Sequence, residues 1–402
     1  MTLKKEYITV LHFARWYPNR YDPMYGLFIQ RHAEAVALYG EVGVVYVHAT
    51  TDPLIPKRME VCYHLENGVH TVRVYYPVSR CKPKQIGQLT GMIRFYKACN
   101  LGRKRIAREM GTLDVVHLHI LTRMGIWGLY YKWIHQTPFV ISEHWSRYLD
   151  RTGSYQGWLR KYFTRMVVKN ASYVTTVTQN LAEAMKHHGL TGVPYQVLPN
   201  IVDPVFFNPP LINSKTPNLK TFIHVSCFED KSKNISGLLR AVKLLFEKRN
   251  DFKVVLVGNG MDFDKMKNYA IELKLNGKQV EFTGLLQGEE LVTQMSQADM
   301  LLVTSHYENL PVVILESFVL GIPVLATHVG GIAEIVDPSN GLLIPPGDEN
   351  ELVARMDDFL SGVLKFDSEM IKANSRLHYT PQTIGQQLID LYRKTLMRND
   401  VD

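Results

Sequence analysis

The sequence lacks the features of disulfide-rich, membrane-spanning and disordered proteins. It has only four cysteines in 402 residues, with no CxxC pair and no metal-type spacing, which indicates free thiols in a reducing cytoplasm rather than a disulfide framework. No apolar run reaches the roughly 18 residues of a membrane-spanning helix, and no stretch has a low-complexity or disordered composition. The motif GxxxxGK(S/T) is missing and no GxGxxG is well placed, which argues against a P-loop ATP site and a dinucleotide-binding site. The motif GxSxG is also missing, which argues against a serine hydrolase.

The length and the 46% hydrophobic content suit two well-packed domains. The N-terminal stretch MTLKKEYITVLHFARWYP has lysines and then a short apolar run, which ends at Arg15 without a small-residue cleavage site. We therefore interpret it as a first strand rather than a signal peptide, and we expect a cytoplasmic protein.

The basic residues are concentrated in the first half of the chain. Residues 1–200 contain 26 Lys and Arg against 12 Asp and Glu, a net charge of +14, whereas residues 201–402 contain 20 against 26, a net charge of −6. Between Arg80 and Arg108, nine basic residues and no acid are interleaved with apolar side chains. This stretch is either a solvated helix face or a surface for an anionic partner, such as the inner face of a membrane or a nucleic acid. The acidic second half and the lack of a recognised binding motif disfavour nucleic acid.

Both halves alternate short apolar strands with helices, which indicates parallel sheets covered on both faces. In the first half the predicted strands lie near residues 7–13, 42–48, 69–75, 114–119, 138–142, 173–177 and 195–198. In the second half they lie in TFIHVS, KVVLVG, QVEFTG, DMLLVTS, IPVLAT and NGLLIPPG. A proline-rich join at 204–218 divides the halves. We expect one domain over 1–204, a second over 205–375, and a C-terminal helix over 376–402 that reaches back to the first domain.

The stretch SHYENLPVVILESF at 305–318 contains two acids, Glu308 and Glu316, separated by a largely apolar run. A strand is expected to end at about Ser305, and Pro311 suits the first position of a helix that Gly321 closes. Glu308 then lies in the loop before the helix and Glu316 in its second turn. A helix start binds phosphate, and carboxylates accept hydrogen bonds from sugar hydroxyls. The pair therefore suits a nucleotide diphosphate sugar, which carries a diphosphate between a ribose and a hexose.

The same stretch, continued to Gly331, resembles the E-x7-E signature of the retaining GT-B glycosyltransferases known as family four. The segments DVVHLH, FVISEHWS, ASYVTTVTQNLAEAM, LPNIVDPVFF, LVGNG, VEFTG and NGLLIPPGD follow in the order of that family, so the resemblance covers nearly the whole chain. It implies an α/β fold of two facing Rossmann-like, doubly wound domains with a cleft between them. The first domain would bind the acceptor and the second the nucleotide sugar.

The resemblance also implies an activity. It is transfer of a hexose-type sugar, with retention, from a UDP-sugar or GDP-sugar to a saccharide or lipid-linked saccharide, with no required cofactor or metal. A nucleotide-sugar epimerase of the same fold and a non-enzymatic basic protein that binds nucleic acid or another anion are the alternatives. The E-x7-E spacing and a basic, aromatic-rich first domain, suited to a separate acceptor, disfavour the epimerase.

Site roles follow from the same resemblance, position by position. Glu308 would lie by the transferred sugar and the diphosphate, Glu316 would bind the ribose, and the backbone N–H groups of Asn309 and Leu310 would approach the sugar and phosphate. His144 would lie near the transferred sugar.

Two further segments have roles implied by the family. The glycine loop at Gly26 would approach the diphosphate. Backbone groups of Phe282, Thr283 and Gly284 would hold the base.

The chain departs from the family pattern in the loop VSCFEDKSKNISG. The family usually has an Arg and a Lys on the diphosphate here, but Cys227 occupies the Arg position. Lys233 best matches the Lys, and Lys231 competes with it because the loop is one residue longer than usual.

The pair His117 and His119 lies on one face of a predicted strand, a spacing that could hold a metal. With no acid or third histidine nearby in the sequence, we predict no metal site.

Overall fold

A computed structural model describes residues 7–52, 58–79, 82–149, 153–210 and 219–399. The chain divides into two compact units. The first contains Met1–Val177, Ala182–Ile201 and Pro381–Asp402, and the second contains Thr178–Leu181 and Val202–Thr380. None of the helices in the described ranges combines the length and apolarity needed to cross a bilayer.

The first unit is built on an eight-stranded sheet with the order β3-β4-β2-β1-β5-β6-β7-β8. Its strands are β1 Thr9–Ala14, β2 Glu41–Thr50, β3 Glu60–Glu66, β4 Val69–Pro77, β5 Val115–His119, β6 Phe139–Glu143, β7 Tyr173–Thr176 and β8 Tyr195–Val197. Every pair is parallel except β3 with β4. The central strands β1, β5 and β6 are buried along their whole length, as expected for a sheet covered on both faces.

Strand β3 is the element that our sequence analysis did not predict. It forms a hairpin with β4 through Asn67 and Gly68, which have φ values of +49° and +79°. Asn-Gly between two strands is the strongest short-range signal for such a two-residue turn, and it was present in the sequence. The strand itself was hard to recognise because it alternates polar and apolar side chains at the exposed edge of the sheet.

The helices of the first unit are α1 Leu27–Ala37, α2 Lys84–Met110, α3 Leu121–His135, α4 Trp158–Asn170 and the C-terminal α13 Pro381–Asn399. Helix α5 Gln179–His187 belongs to the first unit from Ala182 onward. Helix α13 packs on α1, where Gly385 lets the two backbones approach: a Cβ at this position would lie 2.3 Å from the carbonyl oxygen of Ala35. Ile384, Leu388 and Tyr392 of α13 are buried in the same core as β1 and β2.

The second unit has a six-stranded, all-parallel sheet with the order β11-β10-β9-β12-β13-β14. Its strands are β9 Lys220–Val225, β10 Phe252–Val257, β11 Val280–Gly284, β12 Met300–Val303, β13 Val324–Thr327 and β14 Gly341–Ile344. Its helices are α6 Asp230–Lys233, α7 Ile235–Phe246, α8 Phe263–Glu272, α9 Gly288–Ser296, α10 Val312–Val319, α11 Glu349–Leu360 and α12 Ser368–Arg376. Both units are therefore doubly wound α/β domains, as the sequence predicted.

Each sheet has a point where the strand order reverses. In the first sheet, β1 lies between β2 and β5. In the second sheet, β9 lies between β10 and β12. Loops that leave the carboxyl ends of β1 and β5, or of β9 and β12, diverge to opposite faces, which opens a crevice where ligands of such sheets bind. The reversal point of each sheet is therefore the expected place for a functional site.

Candidate active site

The reversal point of the second sheet is flanked by the loops that follow β9 and β12. The first loop ends in the one-turn helix α6, and the second contains the segment from Thr304 to Pro311. The backbone N–H of His306 donates to the carbonyl of Ser232 at 2.8 Å, and the hydroxyl of Thr304 donates to that of Lys233 at 3.0 Å. These bonds fix the two loops against each other.

Lys233 and Glu308 form an ion pair at this point. Both side chains are largely buried, and the hydroxyl of Ser305 also donates to Oε1 of Glu308, at 2.9 Å. Burial by itself would lower the pKa of Lys233, but the Glu308 carboxylate outweighs it, so the pKa is raised. Lys233 is therefore a fixed ammonium group at neutral pH, poised beside a carboxylate.

The structure distinguishes the two lysines of this loop. Lys231 is exposed on the outer side of α6, whereas Lys233 points inward to Glu308. Asn234, with a left-handed φ of +53°, turns the chain directly from α6 into α7 and so holds Lys233 at the end of the short helix. Cys227, at the position where the family usually has an Arg, is exposed. The roles of these residues stay predictions, but the geometry favours Lys233 over Lys231.

Glu316 lies in the second turn of α10, as predicted, and is buried. The predicted start of this helix was wrong by one residue. Pro311 has an extended ψ of 124° and precedes the helix, which begins at Val312, and Gly321 with φ of +78° closes it.

Asn309 and Leu310, the other predicted ligands in this loop, are buried next to Glu308. Their segment is held from the other side by Gly330 and Gly331, which sequence reasoning did not single out. The N–H of Gly331 donates to the carbonyl of Asn309 at 2.9 Å. A Cβ at Gly330 would lie 1.9 Å from the carbonyl oxygen of Glu308. The Gly-Gly pair after β13 was the available signal, because such pairs mark close backbone approach.

Replacing Gly330 with alanine should therefore displace the Glu308 loop. The new methyl group would clash with backbone, and the residue has φ of +56°, so we expect a loss of about 1–3 kcal/mol in the free energy of unfolding together with weaker nucleotide binding. Gly362 is the matched control because it has φ of +73° and a Cβ added there would meet nothing within 4 Å. Urea denaturation and calorimetry should show a small stability loss and unchanged binding for Gly362→Ala. Equal effects of the two substitutions would contradict the proposed contact.

Phe282, Thr283 and Gly284 lie at the edge strand β11, apart from the Lys233–Glu308 pair. The ring of Phe282 packs on Phe228 and Phe263, with centroids 6.1 and 5.9 Å away. The carbonyl of Gly284 accepts from the N–H of Gly258 at 2.8 Å. The segment is thus anchored inward, and as part of an edge strand it pairs with β10 on one side only, which leaves its other side available for backbone recognition of a base.

In the first unit, the structure brings the two predicted residues Gly26 and His144 close together. Gly26 has φ of +73°, and a Cβ there would lie 2.4 Å from the backbone carbon of Trp16, so only glycine fits this turn. Two residues later, Phe28 contacts the ring of His144, with centroids 4.6 Å apart. Burial, and then the neighbouring His32, hold the pKa of His144 well below its usual value, so the ring is neutral. It can donate or accept one hydrogen bond without carrying charge.

The expectation that no third histidine lies near His117 and His119 is wrong in three dimensions. Strand β1 places His12 beside His117 and His119 of β5, and one ligand atom of each lies within 4.8 Å of the others.

These rings form a hydrogen-bonded network. His119 and His12 share a bond of 3.0 Å, and the two nitrogens of His117 meet Tyr392 and Ser142 at 2.7 Å each. Burial lowers the pKa of His12 to about 3. Hydrogen bonding between neutral rings accounts for the cluster, and the expectation that no metal is required stays a prediction.

Comparisons with known proteins identify the family and the fold of the chain. Residues 41–206 match the family described as Glycosyltransferase Family 4, and residues 212–376 match the family described as Glycosyl transferases group 1. The lipopolysaccharide 1,6-galactosyltransferase of Escherichia coli K12 is 29% identical over 214 residues, a match that covers 51% of this chain and 59% of that enzyme.

Two solved structures show the same fold over nearly the whole chain. The sucrose-phosphate synthase of Thermosynechococcus elongatus has a TM-score of 0.74 at 18% identity, covering 97% of this chain and 100% of that one. Anabaena HepE, in complex with UDP and glucose, has a TM-score of 0.68 at 17% identity, covering 96% and 99%. The chain thus has the GT-B fold and belongs to the glycosyltransferases that join a Glycosyltransferase Family 4 domain to a Glycosyl transferases group 1 domain.

Proposed function

We propose that this glycosyltransferase moves a hexose-type sugar, with retention of configuration, from a UDP-sugar or GDP-sugar to a saccharide or lipid-linked saccharide. The observation that carries the proposal is the largely buried Lys233–Glu308 pair at the reversal point of the second sheet. A fixed cation and a carboxylate at this place suit a ligand with a diphosphate and sugar hydroxyls. In the proposed assignment, Glu316 binds the ribose, and backbone groups of 282–284 hold the base.

The proposed chemistry needs no group beyond donor, acceptor and protein. The bond between the anomeric carbon and the phosphate oxygen breaks, and the bond between that carbon and the acceptor oxygen forms on the same face. The acceptor hydroxyl proton passes to the departing phosphate oxygen. Lys233 stabilises the negative charge that develops on the diphosphate, which is electrostatic catalysis by a preorganised group. The proposal does not include a covalent bond between the sugar and a carboxylate of the protein.

A thermal-shift panel tests the donor class. The protein is heated with UDP-, GDP- or ADP-linked hexoses, and a UDP- or GDP-sugar should raise the melting temperature, because a ligand at 100 times its dissociation constant stabilises the native state by about 2.7 kcal/mol. The structure of HepE contains UDP and glucose, so a UDP-linked hexose is the first donor to test. No shift with any sugar nucleotide would contradict the proposal. Interconversion of the donor without an acceptor would instead indicate an epimerase.

A membrane-associated acceptor is the second part of the proposal. Arg80 lies outside the described residues. The basic stretch from Lys84 to Arg108 lies in helix α2, and Lys82 precedes the helix. Its N-terminal half exposes a series of large apolar side chains to solvent: Ile86, Leu89, Met92 and Ile93, each 42–54% exposed. Exposed apolar groups interleaved with cations are typical of helices that lie on anionic bilayers. The E. coli relative named above acts on a lipopolysaccharide, which is consistent with this acceptor class.

Not every cation of α2 is available to such a surface. Arg94 donates to the carbonyls of Pro77 and Val78, and Arg105 pairs with Glu109 within the helix. The exposed lysines at the N-terminal end of this region, beside the exposed apolar side chains, are therefore the better candidates for lipid contact: Lys82, Lys84 and Lys97.

We expect the protein to float with anionic liposomes at low salt and to be released at high salt. Each Lys or Arg near the surface contributes about 1 kcal/mol, and the attraction falls off within a Debye length. Changing Lys82, Lys84 and Lys97 to Glu should abolish flotation. A matched control changes three exposed lysines of the second unit, Lys265, Lys267 and Lys274, and should float like wild type. Failure of wild type to float, or binding that resists high salt, would remove this part of the proposal.

A further inference from the structure

The first unit contains a pocket of about 340 Å³ lined by four arginines. Arg15 follows β1, Arg123 lies in the first turn of α3 after β5, Arg147 follows β6, and Arg160 lies in the first turn of α4. The pocket is thus at the carboxyl ends of adjacent strands, at the reversal point of the first sheet, where ligands of such sheets bind.

The charged side chains that line this pocket are all positive. None of the lining residues that the structure describes is acidic. Among the residues that the structure describes, Glu143 is an acid near the pocket, and its buried carboxylate already accepts from the backbone N–H groups of Leu121, His144 and Trp145 at 3.0–3.1 Å. It therefore stabilises the loop after β6, and it offsets the positive charge of the pocket only in part, through Arg147.

The arginines act on one another. The pKa of Arg147 is lowered, chiefly by burial; Tyr148 and Glu143 oppose this change, and Arg160 and Arg15 lower the pKa further with smaller effects. An anion bound between guanidinium groups reduces the repulsion between them. The Arg147 guanidinium lies over the ring of Trp145 at 3.5 Å, which orients it at the wall of the pocket.

We propose that this pocket binds a phosphate or diphosphate group of the acceptor. That the ligand is the acceptor rests on the proposed transferase function. Guanidinium groups match phosphate oxygens bidentately, and 340 Å³ has room for a diphosphate or a phosphorylated sugar. The four-arginine pocket is distinct from the Lys233–Glu308 site, since all of its lining residues belong to the first unit.

The surroundings of the pocket indicate that the phosphate carries an apolar chain. Tyr96 of α2 lines the pocket, and Leu89, Met92 and Ile93 precede it by seven, four and three residues, so they share its helix face. On the other flank, α4 exposes Trp158, Leu159 and Tyr162 at 63–75% beside the pocket residue Arg160. A phosphate in the arginine pocket would therefore have solvent-exposed apolar side chains on both flanking helices.

Calorimetry on the Lys233→Ala variant tests the pocket without the principal cation of the donor site. The probes are inorganic pyrophosphate, glucose 1-phosphate, dihexanoyl phosphatidic acid below its micelle concentration, and dihexanoyl phosphatidylcholine as a zwitterionic control. We expect the phosphate probes to bind, and Arg147→Gln with Arg160→Gln to weaken them at least tenfold. Arg160→Gln alone, at an exposed position, keeps the test valid if the double substitution unfolds the protein. Lys169→Gln, exposed in the last turn of α4, is the matched control and should bind like its parent.

The probes also separate two sources of the phosphate. Tighter binding of phosphatidic acid than of glucose 1-phosphate supports a lipid phosphate, and the reverse order supports a soluble phosphosaccharide in the same pocket. No binding of any phosphate probe, or equal binding by the arginine variants and Lys169→Gln, would overturn the inference. Nucleotide-sugar thermal shifts of the arginine variants in the otherwise wild-type chain should equal those of wild type. A missing shift in wild type would count against the proposed function and not against the pocket.

Discussion

Replacing Lys233 with alanine should lower the rate of sugar transfer by about 10²–10³, the usual effect of removing one preorganised group that stabilises a developing oxyanion. The same change at Lys231 should leave the rate close to that of wild type. The reason is positional, because Lys233 is largely buried and paired with Glu308 at the reversal point of the sheet, whereas Lys231 is exposed. Initial rates at saturating donor, measured for both variants in parallel, provide the comparison.

The fold of the Lys233 variant needs its own control, since the substitution leaves Glu308 without its cation in a largely buried position. Lys233→Ala combined with Glu308→Gln removes the uncompensated charge and should regain much of any lost melting temperature without regaining turnover. If Lys231→Ala proves to be the inactive variant, the alignment of this loop is wrong by two residues, and the assignment of Lys233 fails with it.

Replacing Glu316 with alanine should weaken binding of the nucleoside diphosphate by about 10-fold to 150-fold. Hydrogen bonds to a charged group contribute roughly 1.5–3 kcal/mol, and each 1.4 kcal/mol is a factor of ten in affinity. Glu316 is buried in the second turn of α10, so its carboxylate has a fixed position from which to accept bonds from the ribose hydroxyls. Titration calorimetry with wild type and the variant measures the loss.

A deoxyribose analogue makes this test specific to the proposed contact. Wild type should lose affinity when a ribose hydroxyl is removed from the nucleotide, whereas Glu316→Ala should lose little more, since the partner is already gone. Glu316→Gln keeps the size of the side chain and should lie between the two. Equal affinities of wild type and Glu316→Ala for the complete nucleotide would show that the ribose is bound elsewhere.

Much of the fold could be predicted from the sequence because its strands are continuous apolar runs bounded by glycine and polar loops. Strands β9 and β10 are examples, and the same pattern placed the central strands of the first sheet. Strand β3 was missed since an edge strand with one exposed face has no continuous apolar run. The start of α10 was displaced by one residue because proline fits both the position before a helix and its first position.

The site could be predicted only where its residues follow one another closely or match a known signature. Glu308 and Glu316 are of this kind. The choice between Lys231 and Lys233 needed the structure, since it depends on how α6 turns and not on spacing. The third histidine, His12, comes from a strand far away in sequence, and parallel pairing of β1 with β5 brings it next to His117.

The arginine pocket shows the same limit. Its four cations come from four separate segments, and none belongs to the basic stretch Arg80–Arg108 that the sequence analysis emphasised. Only the topology of the sheet, which places the ends of β1, β5 and β6 side by side, brings three of these segments together.

The most direct test of the central claim is time-resolved proton NMR of the nucleotide sugar selected by the thermal-shift panel, incubated with the protein without added acceptor so that water slowly takes the sugar. Nucleoside diphosphate should accumulate, and the first hexose to appear should have the anomeric configuration of the donor before mutarotation mixes the two forms. Lys233→Ala should suppress both signals, while Lys231→Ala should not. Appearance of the opposite anomer first would contradict retention, and equal rates for the two lysine variants would contradict the site.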